Sequence, residues 1–469
     1  MRPLEIITPI ILAIYLLWPI KNRKRPLAVG ILPAFALVVI AAHARIEGMR
    51  WQMYPLYVFA IVTLLMSLPD FIKARQEYTV TRRLLRVLLS LSLLAVSTAL
   101  PILLPVPSIP APDGPYQVGT MAFELTDTSR REIYSGKDEP RRFQIQVWYP
   151  SEASPSEPRA SWMAHAEILA PAIATYFELP PFSLDHLSLV KIPAHEESDV
   201  ATSSHGYPVI LFSHGWNGFN AQNSDQALQL ASHGYVVIGL QHTYGALVTV
   251  FSDGTIAKNN PTALPAGAPT EEYEIAARKL VDQWVGDLGF TLDFMELQNN
   301  NPNSPFYTSL DLASVGAYGH STGGGAAIQF CGTDTRCKSL LGMDPFIRPV
   351  SIEVLENGVS QPAFFMFSQG WADDLDSRNN QLFNEVIPKV SKSLGVVSID
   401  GTTHTDFTDI PLLSPLAPLV GLKGPINGKR VVAIVNDYLL SFFDTTLKDE
   451  PTHLFDNQIN KYQEVRFNQ

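Results

Sequence analysis

Four long apolar stretches occupy most of the first hundred residues, at positions 6–20, 27–42, 51–68 and 84–106. Charged side chains are almost absent inside them, as expected of helices surrounded by hydrocarbon. The first three are about 15 to 18 residues long, which is near the lower limit for crossing ~30 Å of a bilayer core. The pattern predicts four transmembrane helices, and the alternative is that they are buried core helices of a soluble domain.

Beyond about residue 114 the pattern changes to short apolar runs that alternate with helical periodicity. Short continuous apolar runs are typical of strands buried on both faces. Their alternation with helices predicts a mostly parallel sheet with helices on both faces, in which functional groups gather at the carboxyl ends of the strands. The predicted strands are residues 143–149, 208–212, 235–240, 313–318, 339–343, 362–367 and 396–399, and the predicted helices are residues 225–233, 271–297, 322–330, 379–393 and 430–444.

A proline-rich segment at residues 101–112 separates the two patterns. Prolines at this density do not continue a helix and favour an extended, stiff spacer. The sequence therefore divides into a transmembrane region with four helices at residues 1–106, a proline-rich linker at residues 107–113 and one large α/β domain at residues 114–469.

Charge divides the chain at the same place. The formal net charge is −11, but residues 1–106 hold 12 Lys and Arg against 4 Asp and Glu, whereas the remaining residues hold 22 against 41. Two loops between apolar stretches are basic, which predicts that they are cytoplasmic and that the acidic domain is extracytoplasmic, either periplasmic or extracellular. Because an acidic domain repels phosphates, nucleic acid is not an expected partner. The basic loop residues are Lys21, Arg23, Lys24 and Arg25 in the first loop and Lys73, Arg75, Arg82, Arg83 and Arg86 in the second.

A short glycine-flanked motif follows the predicted strand at residues 313–318. It reads Gly319-His320-Ser321-Thr322-Gly323, and an apolar helical pattern begins directly after it. A serine between a strand and a helix, with glycines on both sides of the turn, is typical of a nucleophile elbow. The sequence therefore predicts that Ser321 is a catalytic nucleophile.

Serine needs a base to take its proton, and the base needs an acid to hold its tautomer. In elbow-containing sheets the chain order is serine, acid, histidine. His404 directly follows the last predicted strand and is the expected base. For the acid, Asp344 ends the strand next to the elbow strand, but Asp373 and Asp374 follow the next strand and remain alternatives.

Acyl transfer also needs N–H groups directed at the developing oxyanion. We expect one from the backbone amide of Thr322, the residue after the nucleophile. The second is expected from the backbone amide of Trp216, in the loop that follows the strand at residues 208–212 and begins Ser213-His214-Gly215. We interpret His214 as a hydrogen-bonding support for this loop.

The chain has two cysteines, Cys331 and Cys337, just beyond the elbow helix. Outside the cytoplasm a local disulfide is one possibility, and a pair of free buried thiols is the other. Neither cysteine has histidine neighbours at ligand spacing, so the pair is not a zinc site. The sequence also has no evident phosphate-cradling loop or metal cluster, and we expect no metal and no cofactor.

These residues resemble one family, the platelet-activating-factor acetylhydrolases of the secreted plasma type and their bacterial relatives, which have the α/β-hydrolase fold. The resemblance implies Ser321 as nucleophile, Asp344 as acid and His404 as base, with no metal ion, and hydrolysis of short or oxidised acyl chains on phospholipids. The apolar N-terminal region lies outside it, and Thr322 replaces the large aromatic residue expected from the plasma enzyme. The motifs that carry the resemblance are residues 146–150 (QVWYP), 212–215 (FSHG), 230–235 (LASHGY), 319–324 (GHSTGG), 342–344 (GMD) and 401–404 (GTTH).

The expected function is that of a membrane-anchored serine hydrolase acting on phospholipid or other short acyl esters. One alternative is an esterase, lactonase or polyester hydrolase that acts on non-lipid substrates. An alternative of another class is a non-catalytic membrane protein whose outer domain binds a ligand. The sequence makes no prediction about an oligomer.

Overall fold

A computed structural model describes residues 1–18, 26–68, 79–450, 452–455 and 461–468. The chain forms two compact units. The first contains Met1–Pro107 together with two short segments from later in the chain, Ser183–Val190 and Leu413–Leu416. The second contains Ser108–Phe182, Lys191–Leu412 and Ala417–Gln469.

The first unit is helical. Each apolar stretch forms a helix, but only α5 is long and apolar enough to cross a membrane among the described residues, over Leu84–Leu103. This helix includes Pro101 and ends at Leu103, so the non-helical chain begins after Leu103 and not at the first proline of the segment. Most of the basic residues behind the orientation prediction, at positions 19–25 and 69–78, lie outside the described residues. The helices are α1 (Pro3–Leu17), α2 (Leu27–Gly30), α3 (Leu32–Ile46), α4 (Tyr54–Ser67) and α5 (Val80–Leu103), with a 3₁₀ turn at Trp51–Met53.

A charged cluster lies inside this helical unit. The Glu5 carboxylate is fully buried and accepts hydrogen bonds from Arg50 Nε at 2.7 Å and Arg50 Nη2 at 2.8 Å. His43 Nε2 lies 3.3 Å from the same carboxylate. Buried charges require such partners, because removal from water costs several kcal/mol for each ion. The cluster therefore joins the start of α1 to the end of α3 and to the residue before the 3₁₀ turn.

The second unit is built on one ten-stranded sheet with the order β12-β11-β10-β9-β8-β4-β5-β2-β1-β3. The strands from β11 to β5 in this order are parallel, as the sequence pattern predicts, and the antiparallel pairs β11–β12, β5–β2 and β2–β1 lie on either side of them. The strands are β1 (Gln117–Arg131), β2 (Pro140–Ser151), β3 (His195–Glu196), β4 (Tyr207–Ser213), β5 (Val236–Gln241), β8 (Leu310–His320), β9 (Cys337–Met343), β10 (Pro362–Ser368), β11 (Lys392–Ile399) and β12 (Val465–Asn468), and a separate hairpin contains β6 (Val248–Val250) and β7 (Ile256–Lys258).

Helices cover both faces of the sheet. Alternate residues of the central strand β8 point to opposite faces, and each face packs against a different set of helices. Val315 and Ala317 belong to a core that includes Trp284 and Leu288 of α8 and Ala326 of α9. On the other face, Tyr318 packs edge-on against Phe443 of α13. The helices of this unit are α6 (Ala166–Tyr176), α7 (Ser224–Ser232), α8 (Thr270–Asn300), α9 (Thr322–Thr333), α10 (Ile352–Asn357), α11 (Gln369–Ala372), α12 (Arg378–Val386) and α13 (Gly428–Leu447).

The predicted helix at residues 379–393 is wrong in its second half. The helix α12 ends at Val386, a 3₁₀ turn covers Ile387–Lys389, and strand β11 begins at Lys392. Pro388 lies inside the turn, where its missing N–H and its ring prevent the helix from continuing. The strands β1, β3, β6, β7 and β12 and the helices α6, α10 and α11 were not predicted.

Candidate active site

The predicted elbow is a sharp turn between β8 and α9. Ser321 has φ 57° and ψ −123°, a backbone conformation that a residue with a side chain rarely adopts. Its flanking glycines are required by space: a Cβ on Gly319 would lie 2.1 Å from the Gly323 carbonyl oxygen, and one on Gly323 would lie 2.0 Å from the Ser213 carbonyl oxygen. The turn therefore holds the serine between the end of a strand and the first turn of a helix.

The predicted acid and base are in contact. His404 Nδ1 lies 2.9 Å from Oδ2 of Asp344, which is fully buried at the end of β9. The same carboxylate accepts hydrogen bonds from the backbone N–H and the hydroxyl of Ser368, at 2.8 and 2.6 Å. Because a carboxylate only accepts hydrogen bonds, His404 carries its proton on Nδ1, and the lone pair on Nε2 is free to act as a base. The alternative acids Asp373 and Asp374 are exposed, and the ion pair of His404 is with Asp344.

Two aromatic rings enclose His404. The indole of Trp371 stacks on its imidazole with centroids 4.6 Å apart and planes 17° apart, and the ring of His320 lies 4.3 Å away. His320 Nε2 also donates a hydrogen bond to the His404 carbonyl oxygen at 2.9 Å. Burial, reinforced by His404, lowers the pKa of His320 well below its usual value, so this neighbour stays neutral.

Ser321 lies at the same edge of the sheet as His404, because its neighbour His320 contacts the base directly. The Ser321 hydroxyl makes no hydrogen bond to any residue in the described part of the chain. In structures without substrate, hydrogen bonds between nucleophile and base are often long and shorten only when substrate binds. The structure therefore brings the predicted base and acid into contact and places Ser321 at the same edge of the sheet.

The loop after β4, which contains the predicted Trp216 donor, lies beside Ser321. A Cβ on Gly215 would meet the Ser321 Cβ at 3.2 Å, so this loop lies against the nucleophile. The Gly215 carbonyl oxygen is held by His214 Nδ1 at 2.7 Å and by the Gly218 N–H at 2.9 Å. In a trans peptide the next N–H points the opposite way, so these two bonds turn the Trp216 N–H away from the loop interior.

A second Ser–His–Asp array lies behind this loop. Ser213 Oγ is 3.0 Å from His242 Nε2, and His242 Nδ1 is 3.0 Å from Asp287 Oδ2. All three side chains are fully buried, so this array has no access to substrate. The backbone N–H of His242 donates a hydrogen bond to His214 Nε2 at 3.2 Å. The array is thus connected through His214 to the carbonyl of Gly215.

Asp287 is held as an anion. Burial alone would raise the pKa of its carboxyl, but Arg141 and His242 outweigh burial and hold this pKa well below its usual range. Arg141 is itself fully buried and donates to both carboxylate oxygens of Asp287, at 3.0 and 2.7 Å. Burial lowers the pKa of His214 to about 3, so its ring is neutral and donates through Nδ1 alone.

Cys331 and Cys337 form a disulfide that joins the last turn of α9 to the start of β9. Among the described residues, one group has convergent metal-ligand side chains, Glu5, His43 and Glu47 in the first unit. Arg50 already donates to both carboxylate oxygens of Glu5.

The sequence did not reveal several residues that support the site. Trp371, His320 and Ser368 contact the predicted acid or base, and Asp287 and His242 lie behind the loop that contains the predicted Trp216 donor. A serine or a tryptophan near a strand end belongs to no recognisable sequence motif. Asp287 and His242 are 45 residues apart in the chain, so no local pattern predicts their contact. The one available signal was position, since Ser368 is the last residue of β10 and Trp371 comes three residues later.

Comparisons with known proteins identify the class. The structure of a ferulic acid esterase from Streptomyces cinnamoneus is similar to this chain with a TM-score of 0.64 and 23% identity, covering 77% of this chain and 99% of that one. The two chains therefore share an α/β fold.

The family is shown by a broader match. The family model described as platelet-activating factor acetylhydrolase, isoform II, matches residues 104–465, and the chain belongs to this family. It is 27% identical to the platelet-activating factor acetylhydrolase of Cavia porcellus, over 72% of this chain and 78% of the relative. It is 24% identical to a probable 1-alkyl-2-acetylglycerophosphocholine esterase of Arthroderma benhamiae, over 76% of this chain and 93% of the relative. The chain is thus an ester hydrolase, as the sequence predicted.

Proposed function

We propose that this protein is a serine hydrolase that cleaves short or oxidised acyl chains from phospholipids. In this proposal Ser321 attacks the ester carbonyl and His404 Nε2 takes its proton. Asp344 stabilises the imidazolium that forms, and the amides of Trp216 and Thr322 bind the oxyanion. The observation that carries the proposal is the hydrogen bond between His404 Nδ1 and Asp344, since it fixes the tautomer that frees Nε2. The lipid substrate is supported by the similarity to a platelet-activating factor acetylhydrolase and to a probable 1-alkyl-2-acetylglycerophosphocholine esterase.

The acyl preference is testable with the purified full chain in detergent. We expect hydrolysis of 1-alkyl-2-acetylglycerophosphocholine, and a kcat/KM that falls steeply when palmitoyl replaces acetyl at the same position. p-Nitrophenyl acetate should be cleaved faster than p-nitrophenyl palmitate. Activity on nitrophenyl esters, lactones or polyesters without activity on any phospholipid would favour the non-lipid alternative. Absence of hydrolysis of every ester would favour a ligand-binding protein.

We also propose that the first unit anchors the enzyme in a membrane, with the catalytic unit outside the cytoplasm. Large apolar side chains are exposed along each of its long helices, among them Leu17 (62% exposed), Val38 (62%), Met66 (68%) and Val96 (70%). Contiguous apolar exposure of this kind is unfavourable in water and favourable in lipid. A tethered enzyme also meets lipid esters at high effective concentration.

The anchoring proposal predicts that the full chain stays in the membrane pellet after extraction with alkaline carbonate. In intact cells or spheroplasts, an added protease should remove a C-terminal epitope tag if the catalytic unit is extracytoplasmic. A cytoplasmic marker protein in the same cells serves as the control for lysis. Release by carbonate would contradict anchoring, and a tag cut only after lysis would contradict the orientation.

A further inference from the structure

A cavity of about 370 Å³ lies beside His404. The base forms part of its wall, together with Trp371 and with residues from two other segments, the loop after β9 and the start of α12. The side chains that matter here are Phe346, Arg348, Asp374 and Arg378. The cavity therefore lies against the base and is bounded by elements that are not part of the catalytic triad.

The chemistry assigns this cavity to one side of the substrate, and this step rests on the proposed function. His404 Nε2 takes the proton of Ser321 and then delivers it to the oxygen of the leaving alcohol. The leaving oxygen must therefore come within hydrogen-bond distance of His404. A cavity with His404 in its wall is positioned to hold what is attached to that oxygen.

Two arginines line this cavity in a region of the chain that is otherwise strongly acidic, with 22 Lys and Arg against 41 Asp and Glu after residue 106. Asp374 is the one carboxylate among the described lining residues, against two guanidinium groups. Guanidinium groups form strong, charge-assisted hydrogen bonds with phosphate and carboxylate oxygens. The wall is thus suited to an anionic group.

Arg348 is held in place before any ligand binds. Its Nη2 donates to Glu274 at 3.1 Å, its guanidinium lies 4.9 Å over the ring of Tyr273, and its side chain is 20% exposed. Its Nε is buried without a partner in the described part of the chain. Arg378 is exposed on the first turn of α12 and makes no ion pair with a described residue. One arginine is therefore preorganised, and the other is free to close over a ligand.

We propose that this cavity is a leaving-group subsite in which Arg348 and Arg378 bind the phosphate of a phospholipid substrate. A carboxylate at the end of an oxidised acyl chain has the same anionic oxygen chemistry. It would arrive with the acyl group, however, and the acyl group stays on Ser321 after the alcohol has left. The position of the cavity beside His404 therefore favours the phosphate.

The test compares dihexanoylphosphatidylcholine with dihexanoylglycerol, which has the same acyl chains and no phosphate. We expect R378Q and R348Q in the full-length enzyme each to lower kcat/KM for the phospholipid on the order of 10-fold, because each removes a charge-assisted hydrogen bond. Hydrolysis of dihexanoylglycerol should change less than about 2-fold. R378K should recover part of the loss, since it restores the charge but not the bidentate geometry.

Arg131 provides a matched control, because it is an exposed arginine paired with Asp138 on β1, far along the sheet from β10. R131Q should leave both activities unchanged. If R348Q fails to fold because Glu274 loses its partner, the exposed R378Q still decides the question. Equal losses on both substrates, or no loss on either, would overturn the subsite.

A further substrate separates the two anion sources. If R378Q lowers hydrolysis of the p-nitrophenyl monoester of glutaric acid, whose carboxylate is on the acyl side, and spares the phospholipid, the leaving-side assignment is overturned. A wild-type enzyme that hydrolyses dihexanoylglycerol but no phospholipid would reject the proposed lipid substrate and this subsite together. If the wild-type enzyme hydrolyses the phospholipid but R348Q and R378Q change the hydrolysis of both substrates equally, the subsite alone is rejected.

Discussion

Replacing Ser321 by alanine is expected to lower kcat for ester hydrolysis by about 10⁴- to 10⁶-fold while the fold is retained. The variant keeps the oxyanion amides and the substrate cavity but loses the attacking oxygen. Because only a hydroxyl is removed at the turn, the melting temperature should be nearly unchanged. The measurement is kcat on p-nitrophenyl acetate, together with covalent labelling by a fluorophosphonate, which should be lost.

Ser368 offers a matched control for this substitution. Its hydroxyl donates to Asp344 Oδ2 at 2.6 Å, so S368A removes a serine hydroxyl from the same site without removing the nucleophile. We expect S368A to keep fluorophosphonate labelling and to lose about 10-fold or less in kcat, since the backbone N–H of Ser368 still bonds the carboxylate. Full activity of S321A, or labelling of S321A at another residue, would show that the nucleophile lies elsewhere.

The contact between Asp344 and His404 was predictable because the positions of these residues follow from chain order. Ser321, Asp344 and His404 each follow a buried apolar strand, and the carboxyl ends of parallel strands meet at one edge. Because the acid and the histidine must follow the elbow serine in that order, few residues of the chain could fill these two roles. Asp373 and Asp374 remained alternatives until the contact between His404 and Asp344 was seen, because both candidate segments end strands that are neighbours in the sheet.

The surroundings of the site were not predictable in the same way. Trp371 stacks on His404, and His242 bonds Asp287, through contacts that depend on how loops and a long helix fold back over the sheet. A single sequence has no local pattern for such pairs. The outer strands were missed for a related reason. β1 alternates polar and apolar residues irregularly, and β12 is a short segment, Val465–Asn468, that pairs only with the edge of the sheet.

One error had a visible cause in the sequence. The helical periodicity at residues 379–393 continued through Pro388, but the helix stops at Val386 and strand β11 begins six residues later. Proline in a helix interior costs about 3 kcal/mol, which exceeds what periodicity over one more turn contributes. Giving the proline priority over the periodicity would have located both the helix end and the strand start.

Replacing Asp287 by alanine is expected to lower the free energy of unfolding of the second unit by about 3–5 kcal/mol. Asp287 accepts hydrogen bonds from three cationic or imidazole side chains, Arg130, Arg141 and His242. Arg141 is fully buried, so without Asp287 its charge lies away from water with Glu132 as its one remaining acidic partner among the described residues. Urea unfolding of the full chain in detergent, followed by tryptophan fluorescence, measures the loss.

Asp293, on the same helix α8, is the matched control. It also pairs with an arginine, Arg336, but it is 61% exposed, and Arg336 keeps Asp334 as a second partner. Exposed pairs of this kind contribute about 1 kcal/mol or less, so D293A should unfold at nearly the wild-type urea concentration. Similar losses for D287A and D293A would contradict the argument from burial. D287A should also lower kcat more than KM changes. Asp287 holds the ring of His242, and the backbone N–H of His242 orients the His214 ring that bonds the Gly215 carbonyl, so a shift of His242 would loosen the Trp216 amide that follows.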